Sequence, residues 1–230
     1  MSIFGSSPVR AGLAGILVLA LAACGGASSD DGTSSSAGGS AEKIDNSTTG
    51  ALAEMSLGNP DAAVTVIEYA SVTCPHCATF HETIYPAIKE NYVDTGKVQF
   101  IFREFPTSPA QLSAVGSMLA RCAADKGGKE AYFLVLDALF KTQRTWIYGE
   151  SPRVELVKIA SQAGIDEAGF DECVQRQELL DLINENVAIG QEKYNVNSTP
   201  SFIVNGNLRH FSTIEDMSAA LDDALAAAEG

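Results

Sequence analysis

The chain has 230 residues, 46% of them apolar and 19% charged, with 29 acidic against 15 basic side chains. That length supports one or two domains with a sizeable core, and the apolar share is too high for a disordered chain. A net charge of −14 argues against a nucleic-acid protein, which needs a basic footprint, and against charge-driven attraction to anionic lipid. Cysteines number five, an odd count that leaves one over when disulfides are drawn in pairs.

Residues 1–23 read as an export signal. Arg10 is their only charge, and the apolar run Ala11 to Ala23 is 13 residues long, short for a membrane span but suited to a signal. The run ends in Leu21-Ala22-Ala23-Cys24, which resembles the bacterial lipobox. In such signals the cysteine is lipidated and becomes the first residue of the mature protein; an ordinary secretory signal with an incidental Cys24 is the alternative. Gly25 lacks the acidic retention signal known after some lipidated cysteines. From Gly25 to Gly50, 16 of 26 residues are Gly, Ser or Thr, so residues 24–50 are expected to be a flexible tether. Its root-mean-square span would be roughly 30 Å.

The pattern changes near residue 51. Val64 to Ala70 is a β-rich run after the turn cluster Gly58-Asn59-Pro60-Asp61. A helical pattern spans about Cys74 to Tyr92, with Phe80, Ile84, Ala87 and Ile88 on one face, and a second strand spans Lys97 to Phe105. Strand, helix, strand at this spacing predicts a βαβ unit with parallel strands. Residues 108–193 read as helical throughout. Ser108-Pro109 predicts an N-cap with Pro at the first helical position, and Leu112, Val115, Met118, Leu119 and Cys122 form a stripe. Ser151-Pro152 repeats the start signal and Gly164 offers a stop. Ser201 to Val204 returns to strand, Asn205-Gly206 predicts a tight turn, and Asn207 to Phe211 the partner strand. Ser212-Thr213-Ile214-Glu215 resembles a capping box opening a last helix with Met217, Leu221 and Leu225 inward. Trp146, Tyr132, Phe133 and Phe140 are expected in the core.

The chemistry concentrates in Cys74-Pro75-His76-Cys77, directly after a strand and at the opening of a helix. The free N–H groups and positive dipole end of that helix favour a Cys74 thiolate. Pro75 fixes the first turn, and a protonated His76 adds positive charge. Stabilising the thiolate of the reduced pair makes the disulfide easier to reduce, hence a stronger oxidant. Two other readings compete: half of a zinc site completed by Cys122 and Cys173 or by His76 and His81, and a purely structural disulfide.

With Asn197-Ser198-Thr199-Pro200-Ser201-Phe202 before the hairpin, residues 51–230 resemble the DsbA-type thiol:disulfide oxidoreductases. That resemblance implies an α/β protein with a thioredoxin fold, a central mixed sheet flanked by helices, carrying an inserted all-helical domain. The sheet domain would take residues 51–107 and 194–230, and the insertion 108–193. It also implies that Cys74 is the exposed nucleophile and Cys77 the buried resolving thiol. Pro200 would be cis beside them, with the Thr199 backbone pairing to extended substrate. Glu68, six residues before Cys74, resembles the buried acid that relays a proton to the resolving cysteine; a partly exposed strand carboxylate is its alternative. Cys122 and Cys173 are the only partners left for each other, and a structural disulfide between them, which some family members carry, is expected; two buried free thiols are the alternative.

The resemblance implies no bound cofactor or metal. Partners would be unfolded or reduced exported proteins, a DsbB-like quinone-linked membrane oxidase, and the membrane through the lipid on Cys24, with no nucleic acid. A reductase or isomerase served by a DsbD-like partner, and a non-catalytic peptide-holding chaperone, are the rival functions.

Overall fold

A computed structural model of the chain describes residues 48–229, so the signal, Cys24 and nearly all of the linker lie outside the described residues. The described chain forms a five-stranded sheet with eight α-helices around it. In chain order these are β1 (Met55–Leu57), β2 (Val64–Ala70), α1 (Pro75–Thr83), α2 (Tyr85–Ile88), β3 (Val98–Glu104), α3 (Ala110–Lys141), α4 (Gln143–Tyr148), α5 (Pro152–Gln162), α6 (Glu167–Cys173), α7 (Gln177–Tyr194), β4 (Ser201–Val204), β5 (Asn207–Arg209) and α8 (Ile214–Glu229). The sheet order is β1-β3-β2-β4-β5, with β2 and β3 parallel and every other pair antiparallel.

β3 is buried at every position and β2 at all but Thr65, as central strands covered on both faces must be. One face packs Val66, Phe100 and Phe202 against Phe80, Ile88, Met217 and Leu221. The other sets Tyr69, Ile101 and Ile203 against Tyr194 and Val196. The largest cluster joins Val72, Cys74, Cys77 and Phe102 to the helices of α3–α7, so the two cysteines sit where the sheet meets the helical region.

Four element ends differ from the sequence reading. The single helix expected over 74–92 breaks at Ile84, because Pro86 lacks an N–H and its ring crowds the preceding turn; after α2 the chain winds into a π-turn over Lys89–Val93. Pro109 is the N-cap of α3 rather than its first residue: its ψ of 110° is extended, and its carbonyl accepts the first helical bond from Ser113 N–H. Thr213, not Ser212, caps α8, its Oγ1 accepting from Asp216 N–H at 3.1 Å. β5 ends at Arg209, two residues short of Phe211. The expected turn does form, with Asn205 and Gly206 both at positive φ (44° and 83°).

α3 is two helices in one. Gly127 and Gly128 leave helical geometry, and Gly128 adopts φ 69°, ψ −161°, a backbone state only glycine takes readily. Before the kink, α3 grips the chain's entry into the fold: Asp125 Oδ1 accepts from Ala51 N–H at 2.7 Å, and the Arg121 guanidinium donates to the Ala51 and Ala53 carbonyls at 2.9 and 3.1 Å. Arg121 also pairs with Glu104 at the end of β3 (2.7 Å), and Tyr132 Oη (2.8 Å) and Asn186 Nδ2 (2.9 Å) donate to the same carboxylate. After the kink, Tyr132, Leu136 and Phe140 are buried, whereas Phe133, expected in the core, is only partly so. Trp146 is fully buried and donates its indole N–H to Leu139 O at 2.8 Å. Cys122 on α3 is bonded to Cys173 at the end of α6.

Candidate active site

The loop between β2 and α1 is braced by hydroxyl groups. Ser71 Oγ lies 2.9 Å from Thr73 Oγ1 and 2.8 Å from Ser113 Oγ of α3, and it accepts from Thr107 N–H at 3.1 Å. Cys74 N–H donates to Ser71 O at 3.0 Å. From the helical region, Gln143 Nε2 donates to Val72 O and Cys74 O at 2.9 and 3.0 Å. The backbone that presents Cys74 is therefore held from both sides.

Cys74 is the N-cap of α1 and Pro75 its first residue. Both cysteines are free thiols here, Cys74 8% exposed and Cys77 fully buried. Cys74 is thus more covered than an exposed nucleophile would be, though it is the accessible one of the pair. Its sulfur accepts from the Cys77 thiol, the Thr199 side chain and the Cys77 and His76 N–H groups, and these outweigh burial to bring it from 9.0 down to about 5. Cys77 goes the other way. Burial, the hydrogen bond it gives Cys74, and the charge of Glu68 push it far above the ordinary thiol range. One sulfur is poised as a thiolate and the other as a thiol.

Thr199-Pro200 is cis and partly buried, and in the neutral thiol state Cys74 Sγ–H donates to Thr199 O at 3.3 Å. That places the β4 approach directly against the reactive sulfur. His76 is exposed on the outer side of α1. Glu68 on β2 is fully buried and acts on Cys77 through its charge. Its Oε2 lies 2.9 Å from Nε2 of His81, a residue one helical turn beyond Cys77. The zinc alternative is not assembled: Cys122 and Cys173 bond each other, and His81 faces Glu68.

Sequence reasoning missed His81 as the partner of Glu68, and Gln143 altogether. A signal for His81 existed, since it follows Cys77 by four residues and so shares its inward face of α1. Gln143 had none, because its contacts depend on where α4 docks.

A family profile described as thioredoxin matches residues 51–223. A Rickettsia bellii protein named as a protein-disulfide oxidoreductase is 35% identical over 172 residues, covering 75% of this chain and 64% of its own length. A Bacillus cereus protein named as a disulfide bond formation protein D is 30% identical over 176 residues, covering 75% of this chain and 79% of its own. The crystal structure of α-DsbA1 from Wolbachia pipientis superposes with a TM-score of 0.69 at 29% identity, over 76% of this chain and 92% of that one. The chain belongs to the thioredoxin family, among its DsbA-type thiol:disulfide oxidoreductases. It spans just under two thirds of the length of the Rickettsia relative. Among the described residues, no helix is long and apolar enough to cross a membrane.

Proposed function

We propose that the chain is a protein disulfide oxidase that donates a Cys74–Cys77 disulfide to exported proteins. A client thiolate attacks Cys74 Sγ, the intramolecular S–S bond breaks, and its electron pair stays on Cys77, which takes a proton. A second client thiolate then attacks the client sulfur of the mixed disulfide and expels Cys74 as a thiolate. The client leaves oxidised and the pair reduced. The observation that carries this reading is the split between the two cysteines: Cys74 brought down to about 5 while Cys77 is pushed up. A stabilised thiolate in the reduced form favours giving the disulfide away over making one, which supports an oxidase over a reductase.

The remaining roles follow. Pro75 and His76 shape the first turn of α1, Thr199 and Pro200 present backbone to an extended client, and Glu68 serves Cys77 as proton donor. A DsbB-like quinone-linked membrane protein restores the disulfide. Residues 1–23 direct export, Cys24 carries lipid to a bacterial membrane, and 24–50 tether a thioredoxin-fold domain (51–107 and 194–230) with its helical insertion (108–193) and structural Cys122–Cys173 bond.

The test is oxidation of a reduced, unfolded protein by the full chain with oxidised glutathione as the regenerating oxidant. Disulfides should form with the wild type and not with Cys74→Ala. A wild type that cannot oxidise the substrate overturns the proposal. Thiol trapping in cells should find the pair mostly oxidised; a mostly reduced pair would instead indicate an isomerase or reductase fed by a DsbD-like partner.

A further inference from the structure

Glu68 has a problem as a lone proton donor. It is fully buried, so once its proton goes to Cys77 it has no contact with water from which to recover one. Of its two carboxylate oxygens, Oε1 has no hydrogen-bond partner among the described residues, while Oε2 is engaged by His81 Nε2 at 2.9 Å. His81 is itself nearly buried, its side chain 5% exposed, and its ring is fixed by stacking on Phe140 (centroids 4.2 Å apart, 19° between planes) and by Tyr85 at 4.8 Å.

His81 also borders open space. It lines a cleft of about 70 Å³ whose other walls include Glu82, Asp137 and Lys141. That is room for water with several polar partners. It also lines a larger groove of about 540 Å³, walled by Tyr85, Pro86, Phe133 and Leu134. His81 therefore spans from a buried carboxylate beside Cys77 to a polar opening at the surface, in a ring whose two nitrogens can give a proton on one side and take one on the other.

We propose that His81 is the proton-carrying link between solvent and Cys77, acting through Glu68 and recharged at the cleft it forms with Glu82, Asp137 and Lys141. The step rests on the exchange chemistry proposed above. As an attacking thiolate bonds to Cys74 Sγ, the S–S bond breaks and its electron pair goes to Cys77 Sγ. The Glu68–His81 pair gives Cys77 one proton, and His81 draws one from water at the cleft. Reoxidation runs the same path backwards, the Cys77 proton leaving through Glu68 and His81. His81 is a positioning residue in this scheme, since it never touches the sulfur.

The test uses reduction of the Cys74–Cys77 disulfide in the full chain by dithiothreitol, followed by acid quenching and mass-tagging of that peptide. His81→Gly should react at least about 10-fold more slowly, a conservative floor beneath the roughly 10²–10⁴-fold that a directly positioned acid–base group supplies. Added imidazole, entering through the adjoining groove, should restore most of the rate, and benzene, of similar shape but unable to carry a proton, should not. His81→Phe keeps the stack on Phe140 and should be as slow as His81→Gly when both are measured below their melting temperatures, which should fall because the Glu68 carboxylate loses its hydrogen-bond partner. A His81→Phe chain reacting at the wild-type rate overturns the proposal, as does equal rescue by benzene or no rescue by imidazole. If His81→Gly does not fold, the His81→Phe rate decides alone. Because dithiothreitol needs no client, a wild type that reacts with it yet fails to oxidise unfolded protein refutes the proposed function and leaves this relay standing.

Discussion

Acidification should strip the reduced fold of the stability it derives from the Cys74 thiolate. The thiol is brought from 9.0 to about 5 by hydrogen bonds from Cys77, Thr199 and the first N–H groups of α1. Ionising a thiol creates charge, so a folded pKa below the unfolded one stabilises the reduced fold progressively as pH rises from about 5 towards 9, and that gain is lost as pH falls through about 5. At pH 7, two units above the folded value, it amounts to ~2.7 kcal/mol, and solvent near the sulfur screens it towards ~1 kcal/mol. In a two-electron couple the upper figure corresponds to about 60 mV of added oxidising power. Cys77 adds nothing over this range, because it is a neutral thiol both folded and unfolded. The assay is urea unfolding of the oxidised and reduced chain between about pH 4 and pH 7, with thiolate absorbance followed alongside. The difference in unfolding free energy between the two forms should shift by about 1–3 kcal/mol against the reduced form as pH falls. A difference that stays constant, or thiolate absorbance that vanishes already near 9, refutes the reasoning.

Replacing Gln143 with Leu removes the side-chain donor that Val72 O and Cys74 O share, leaving Cys74 O only the Ala78 N–H. Urea unfolding should show a loss of about 1–3 kcal/mol, the desolvation cost of an unmet buried carbonyl. Replacing both Cys122 and Cys173 with Ala opens a link between residues separated by 51 positions. In the chain-entropy account this lowers stability by about 4 kcal/mol, measurable as a lower urea midpoint, while the exchange rate at Cys74 stays at the wild-type value.

What was legible in the sequence was what the chain encodes locally. Cys74 to Cys77 lie within one helical turn, Thr199-Pro200 is a dipeptide, and β2, β3 and the Asn205-Gly206 turn each announce themselves within a few residues. Pro86 carried the break at Ile84 in plain view, but the apolar spacing of Phe80, Ile84 and Ile88 runs across it and suggested one helix. Gly127-Gly128 was equally visible and equally overridden by the helical stripe before it. The rest depends on distant chain segments meeting. Gln143 reaches Cys74 across 69 positions, and Asn186 reaches Glu104 across 82. Such pairings are decided by how helices dock, which no local pattern records. Glu68 stands between these cases: the family resemblance implied its burial, but the partner that burial demanded lay on another element.

The grip of α3 on the chain's entry into the fold has a mechanical consequence. A pull arriving through the residues before 48 is taken up at Ala51 and Ala53 by Asp125 and Arg121, ahead of β1. From Asp125 the load passes to Arg176, whose guanidinium also lies 3.7 Å from Cys122 Sγ, and so into two helices bolted together by the Cys122–Cys173 bond. The loop that presents Cys74 is held by Ser113, on that same α3, and by Gln143 and Thr107 from outside it. The chain's entry and the reactive loop therefore share one anchoring helix, pinned to α6 at Cys122.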